Sequence, residues 1–235
     1  LFRPDRSRVD RELLRDAALA LGASEDEATD LVAATGPAPE RTSPADVARA
    51  HLGPPADPTS SFGRDEEVAQ LLTYLSRGTR AVAITGLGGI GKTHVASRLA
   101  EALLAHGSVE TVLTVDMRGH DAELPPGSPS AAARAVLSTL SEGNGVVEYR
   151  PIASFHQVLA SRSVCVVLDD AHYVEQVAPL LPDTAGRGLV VVTTRTRIEH
   201  PVLATVPLFP LGANANEALL ADLVGHERLG QDESA

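Results

Sequence analysis

The chain has 235 residues, 43% of them hydrophobic but only 3% aromatic, no tryptophan, and a formal net charge of −11. That length accommodates one medium domain with an appendage, packed with Leu, Val and Ala. The acidic balance excludes the basic face that nucleic-acid binding requires, the single cysteine excludes a disulfide framework within the chain, and no apolar stretch approaches membrane-spanning length. Residues 1–20 carry no signal-peptide pattern, so a cytoplasmic location is expected. Leu1 in place of a starting Met, and an end that falls inside an apparent helix, suggest a piece of a longer protein. Abundant Arg and Ala beside a single Lys hint at a high-GC bacterial genome.

Val9, Leu13, Leu14, Ala17 and Ala18 form a helix-period apolar stripe over residues 9–20, which Gly22 can end. Ser24-Glu25-Asp26-Glu27 supplies a cap and capping-box acid for a second helix ending near Gly36-Pro37. Ser43-Pro44 starts a third, short one ending near Leu52. Residues 1–52 are thus expected to be a small helical segment, either a packing appendage or a partner-binding module. Residues 53–61, with three prolines, are a linker. Phe62-Gly63-Arg64 then leads into a helix bearing Val68, Leu71, Leu72 and Leu75, closed by Gly78.

The buried strand Ala81-Val82-Ala83-Ile84 runs into Gly86-Leu87-Gly88-Gly89-Ile90-Gly91-Lys92-Thr93, and Val95, Leu99 and Leu103 follow at helical steps. This is G-x-x-x-x-G-K-[ST] between a strand and a helix, the context a phosphate-binding loop needs. Glycines let successive N–H groups converge on an anion, and the helix N-terminus adds partial positive charge. Lys92, the only lysine in the chain, can reach the β- and γ-phosphates, and the Thr93 hydroxyl can ligate Mg²⁺.

A second strand, Val112–Val115, ends in Asp116-Met117-Arg118-Gly119. A Pro/Ser loop at 125–130 caps a helix with Ala132, Val136 and Leu140, and a further helix carries Phe155, Val158 and Leu159. Val164-Cys165-Val166-Val167-Leu168 and Leu189-Val190-Val191-Val192 are apolar at every position, as in strands covered on both faces. Val174, Val177, Leu180 and Leu181 mark a short helix between them; Thr205–Leu208 is a last strand, and Asn216–Val224 a last helix. Five buried strands alternating with helices predict a three-layer α/β fold with a mainly parallel sheet.

Asp169, at the end of an apolar strand, is the expected Mg²⁺ carboxylate, and Asp170 can orient or deprotonate a water for γ-phosphate cleavage. Arg195 follows another buried strand, at the strand ends where ligands sit, and can read a terminal phosphate, with Arg197 competing on spacing. Thr193 and Thr194 can hydrogen-bond in the same pocket. His172 reads as a polar loop residue and Cys165 as core; no metal site other than nucleotide-borne Mg²⁺ is expected.

Taken in order, Phe62–Glu67, Gly86–Thr93, Val167–Asp170 and Val192–Arg195 resemble the NB-ARC-type STAND ATPases. These are the switch modules of apoptotic activating factors and plant resistance proteins, and the similarity is greatest to bacterial regulators of the SARP type. It extends to Val115–His120 and Glu175–Pro182 and covers roughly residues 61–230. The resemblance implies a P-loop NTPase domain over 62–212, with the Arg195 strand between the P-loop and Asp169 strands. It also implies ATP or ADP as ligand, Phe62, Gly63 and Arg64 on the adenine side, and His94 beside Thr93 in the nucleotide-contacting set. Residues 213–235, with Glu217-Ala218-Leu219-Leu220, look like the start of the family's helical domain. Its Gly-Leu-Pro-Leu-like signature and winged helix lie beyond the sequence, so further nucleotide contacts and locking of the ADP state are not carried over. The expected function is a nucleotide-dependent switch with slow ATP hydrolysis in a signalling or transcriptional regulator, with protein partners or neighbouring domains and no direct nucleic-acid binding. The alternatives are a non-hydrolytic, nucleotide-stabilised interaction module or an autonomous ATPase or phosphotransferase.

Overall fold

The computed structural model describes residues 48–55, 63–141, 150–183 and 185–212. The helices expected within 9–36 and at 216–224, most of the linker, and Phe62 lie outside these residues. The described residues fall within one compact unit, Ala45–Ala235.

The elements are β1 (Ala50–Leu52), α1 (Asp65–Ser76), β2 (Ala81–Thr85), α2 (Lys92–Ala105), β3 (Thr111–Asp116), α3 (Pro129–Leu140), α4 (Pro151–Ser161), β4 (Val164–Ala171), α5 (Val174–Val177), β5 (Leu189–Thr194) and β6 (Leu203–Pro207). The sheet order is β1-β3-β4-β5-β2-β6, and every pairing is parallel except β1 with β3. The Arg195 strand, β5, therefore lies between the phosphate-loop strand β2 and the Asp169 strand β4, as the resemblance implied.

The apolar runs conceal an alternation. Val82, Ile84, Cys165, Val167 and Val191 pack in one core with Leu71, Val95 and Leu99 of α1 and α2. Ala81, Ala83, Val166, Leu168, Val190 and Val192 belong to the other, with Val136, Phe155 and Leu159 of α3 and α4. A period of two places neighbouring residues on opposite faces, so a strand sandwiched between helix layers must be apolar throughout. Full burial of a side chain such as Leu99 contributes roughly 1.5–3 kcal/mol, which lets the core hold the polar strand ends in place.

Local rules fix the helix starts. Asp65, Glu66 and Glu67 fill the first turn of α1, where the helix dipole favours negative charge. The Ser128 side chain accepts from Ala131 N at 3.2 Å, and Pro129 occupies the first turn of α3. Pro179 follows α5 inside a 3-10 turn, Ala178–Leu180, so the expected short helix is one α turn and one 3-10 turn.

Two expectations are corrected. The helix expected to end near Leu52 is, at Ala50–Leu52, a strand, so the sheet has six strands rather than five. Pro54 and Pro55 disfavour helix in the segment before them, while the edge of β3 offers unpaired backbone groups. Gly53 N donates to Val112 O at 2.9 Å and Thr114 Oγ1 to Gly53 O at 2.8 Å, which anchors the segment there. Second, β4 runs on to Ala171, one residue past the Asp169-Asp170 pair in which the strand was expected to end, with a register irregularity between Leu168 and Ala171.

Candidate nucleotide-binding site

The loop from Gly86 to Gly91 joins β2 to α2 at the C-terminal end of the sheet. Gly89 and Gly91 have φ of +74° and +98°, a left-handed backbone that side-chain-bearing residues adopt at a cost. Gly91 is the residue at which α2 begins, so its free N–H groups open toward the loop. Lys92 Nζ donates to Gly86 O at 3.0 Å and Leu87 O at 2.7 Å, which folds the ammonium back over the loop. Burial is the main cause lowering its pKa; Arg195 lowers it further, while Asp170 and Asp169 oppose.

Across the sheet, Thr93 Oγ1 donates to Asp169 Oδ1 at 3.1 Å and Oδ2 at 3.3 Å, and Thr193 Oγ1 donates to Oδ1 at 2.6 Å. Burial pushes the Asp169 carboxyl above its ordinary range, opposed by the Thr193 and Thr93 bonds and reinforced by Asp116 and Asp170. A hydroxyl beside a carboxylate, both part-buried, is a hard oxygen donor set suited to Mg²⁺.

Asp170 has φ +53°, outside the ordinary range for a residue with a side chain. Its carboxylate accepts from His120 N and His120 Nδ1, each at 3.0 Å, and lies 3.5 Å from Arg195 Nε. Arg195 also lies against the phosphate loop, since a Cβ at Gly88 would come within 3.4 Å of its Nη1. Arg197, its competitor on spacing, lines the cleft beside the loop and pairs with exposed Glu199 at 3.1 Å. The Thr194 hydroxyl accepts from Thr196 N at 3.1 Å, shaping the turn that carries Arg195. Arg64 is buried and bonds Glu67 at 2.8 Å and Ile90 O at 2.9 Å, tying the start of α1 to the phosphate loop. Gly63 is exposed and His94 is half-buried, flanking Arg64 and Thr93 in the chain. A cleft of about 500 Å³ opens beside the loop, bounded by Thr85, Ile90, Leu208, Phe209 and Arg195 among others. Its size and apolar wall suit a nucleoside.

The sequence reading passed over two histidines. His172, read as a loop residue, places its Nδ1 3.2 Å from His120 Nε2, and His120 holds Asp170. Gln176 locks this corner, accepting from His172 N at 2.9 Å and donating to Met117 O at 2.7 Å and Gly127 O at 3.0 Å. Gln176 lies 59 and 49 residues from Met117 and Gly127, and His120 about 50 from Asp170 and His172, so no local motif joins these partners.

Fold and site define a P-loop ATPase domain. The chain belongs to the AAA ATPase domain family, whose model matches residues 60–203, and it binds nucleotide. It is similar to the regulatory protein AfsR of Streptomyces coelicolor, 34% identical over 214 residues that cover 81% of this chain and 20% of that one. AfsR of Streptomyces griseus is 29% identical over 191 residues, 77% of this chain and 19% of that one. The chain thus spans about a fifth of the length of these curated relatives. These matches agree with a STAND-type ATPase domain of a bacterial regulator, as the motifs implied. Among solved structures, the Escherichia coli MS115-1 HORMA:CdnC:Trip13 complex aligns at 13% identity and a TM-score of 0.47, covering 75% of this chain and 74% of that one. Among the described residues no helix is long and apolar enough to cross a membrane.

Proposed function

We propose that this domain is a cytoplasmic ATP/ADP switch with slow hydrolysis inside a bacterial transcriptional regulator. The observation that carries the reading is the placement of Arg195: its guanidinium lies against Gly88 of the phosphate loop while its Nε faces Asp170 at 3.5 Å. A cation shared between loop and acid responds to a γ-phosphate, and a switch works only through such differential affinity for two states.

In this reading Lys92 and the backbone N–H groups at the start of α2 neutralise the β- and γ-phosphates. Thr93 and Asp169 would hold Mg²⁺, which when bound supplies charge neutralisation of the phosphate oxygens. Arg64 keeps the loop seated through Ile90 O, and the cleft beside Phe209 takes the adenosine. Asp170 orients the attacking water. Its carboxylate is already engaged by His120 N, His120 Nδ1 and Arg195, which leaves little of it free to accept from a water and supports slow rather than rapid turnover. The same engagement favours the second reading, in which nucleotide is retained without turnover.

The first test is to denature the freshly purified chain, identify any released nucleotide, and then titrate ADP and ATP with Mg²⁺ by calorimetry. ADP is expected to raise Tm, and Lys92→Ala to weaken nucleotide binding roughly 10- to 100-fold, the worth of a charge-assisted contact to phosphate. Arg195→Ala is expected to weaken ATP more than ADP. Full ADP stabilisation in Lys92→Ala would end the phosphate-loop assignment; ATP retained without any turnover would select the non-hydrolytic reading.

A further inference from the structure

Behind Arg195, the ends of β3, β4 and β5 form a closed ring of side chains and backbone groups. Asp170 is bonded to His120, and His120 to His172. The His172 carbonyl accepts from Thr196 Oγ1, and Arg195, next to Thr196 in the chain, returns to Asp170. The Asp170 backbone is pinned as firmly: its N–H donates to Thr193 Oγ1 at 2.9 Å, and its carbonyl accepts from Gly119 N at 2.7 Å. A left-handed aspartate is strained and persists only where its surroundings over-determine it.

The hydrogen-bond inventory fixes one proton: a carboxylate only accepts, so His120 Nδ1 carries the proton facing Oδ1. The far side of the same ring, Nε2, meets His172 Nδ1 at 3.2 Å. Asp170 Oδ1 then faces two donors, the imidazole at 3.0 Å and the Arg195 guanidinium at 3.5 Å. The imidazole holds the nearer place. Arg195 is left as the looser partner, within reach of the phosphate loop.

We infer that His120 is a positioning residue: by occupying Asp170, it keeps Arg195 available to the phosphate loop and so sets the preference of the site for a nucleoside triphosphate over the diphosphate. This rests on the reading that Arg195 responds to the terminal phosphate. Without the imidazole, Asp170 Oδ1 has the guanidinium alone; that pair tightens and draws Arg195 off the loop. Without the carboxylate charge, Arg195 has no competing partner and goes wholly to the loop. The two changes therefore act in opposite directions, which a purely structural role would not produce.

The test measures the affinities of the intact chain for ADP and for a non-hydrolysable ATP analogue, each with Mg²⁺, and compares their ratio across variants. His120→Ala should lower triphosphate affinity relative to ADP about fivefold, the worth of one contested charge-assisted bond. His120→Asn, whose amide N–H falls near the position of Nδ1, should restore most of the ratio. His172→Ala should shift it less, in the direction of His120→Ala, and Asp170→Asn should raise it. Equal losses for both nucleotides in His120→Ala, a ratio that His120→Asn does not rescue, or shifts of the same sign in His120→Ala and Asp170→Asn would each overturn the inference. Arg195→Ala separates the layers. An unchanged ratio there removes the reading beneath, whereas a ratio that falls in Arg195→Ala but not in His120→Ala removes only the role of His120.

Discussion

The two halves of the site are built by different means. After β2, six consecutive residues make the phosphate loop, and its chemistry is carried by backbone N–H groups with Lys92 as the one charged side chain. On the other side the work passes to side chains from three separate segments: Asp169 and Asp170 near the end of β4, His120 after β3 and Arg195 after β5. A backbone cradle needs conformational freedom in its residues. A side-chain cluster needs close approach of its loops, and so tolerates change in different places.

Glycine substitutions expose that difference most strongly. At Gly119 an added Cβ would run into the backbone of Asp170, Ala171 and His172, the last two at 2.8 Å, none of which can move without disturbing β4. Gly119→Ala should lower stability by about 2–3 kcal/mol, as overpacking against rigid backbone does, and reduce the Tm accordingly. At Gly89 nothing lies within 4 Å of the added Cβ, and only the φ of +74° opposes it. Gly89→Ala should cost about 1 kcal/mol in stability, with its larger effect on ADP affinity. Denaturant melts with and without ADP check both; equal stability losses would erase the distinction.

Asp169→Asn sharpens the comparison from the side-chain half. Burial raises the folded pKa of Asp169 above the ordinary 3.8, so folding favours its protonated form. The stability this group contributes is present below 3.8 and is lost as pH rises through its higher folded value. The asparagine variant should therefore melt above the parent chain at neutral pH without nucleotide, and the gap should close on acidification. It should also lose the Mg²⁺-dependent part of nucleotide binding. A variant that melts lower at neutral pH would mean the Thr93 and Thr193 bonds outweigh the burial.

The contrast also accounts for what the sequence made legible. Gly86 to Thr93 could be read because strand, glycines, lysine and helix are contiguous, and the all-apolar runs of β4 and β5 betrayed their two-sided burial. Arg195 and Arg197 could not be separated by spacing alone, because the distinction is whether the guanidinium turns toward Gly88 or toward Glu199. His120 and His172 sit 52 residues apart, and only the parallel pairing of β3 with β4 brings the loops that follow those strands together. The edge strand Ala50–Leu52 was masked by helix-start residues just before it, and its pairing with β3 won over local preference.

The smallest expected effect lies in the loop that carries His120. Asp121 Oδ1 accepts from Glu123 N at 2.8 Å and Leu124 N at 2.9 Å, closing the turn just after the histidine. Those bonds, Leu124 first and then Glu123, hold the Asp121 carboxyl below its ordinary 3.8. The sign is opposite to that of Asp169: the stability Asp121 adds is present above 3.8 and lost as pH falls through the lower folded value. Because the carboxylate is fully exposed, water screens most of the gain, and Asp121→Ala should lower Tm only slightly at neutral pH and not at all in strong acid. Its consequence for the site should exceed its consequence for stability, since a loosened turn lets His120 swing away from Asp170. A triphosphate-to-diphosphate ratio that falls in Asp121→Ala while Tm barely moves would show that the orientation of the histidine, rather than the strength of the fold, is what this half of the site depends on; a ratio that stays fixed would place the hold on His120 entirely in its bonds to Asp170 and His172.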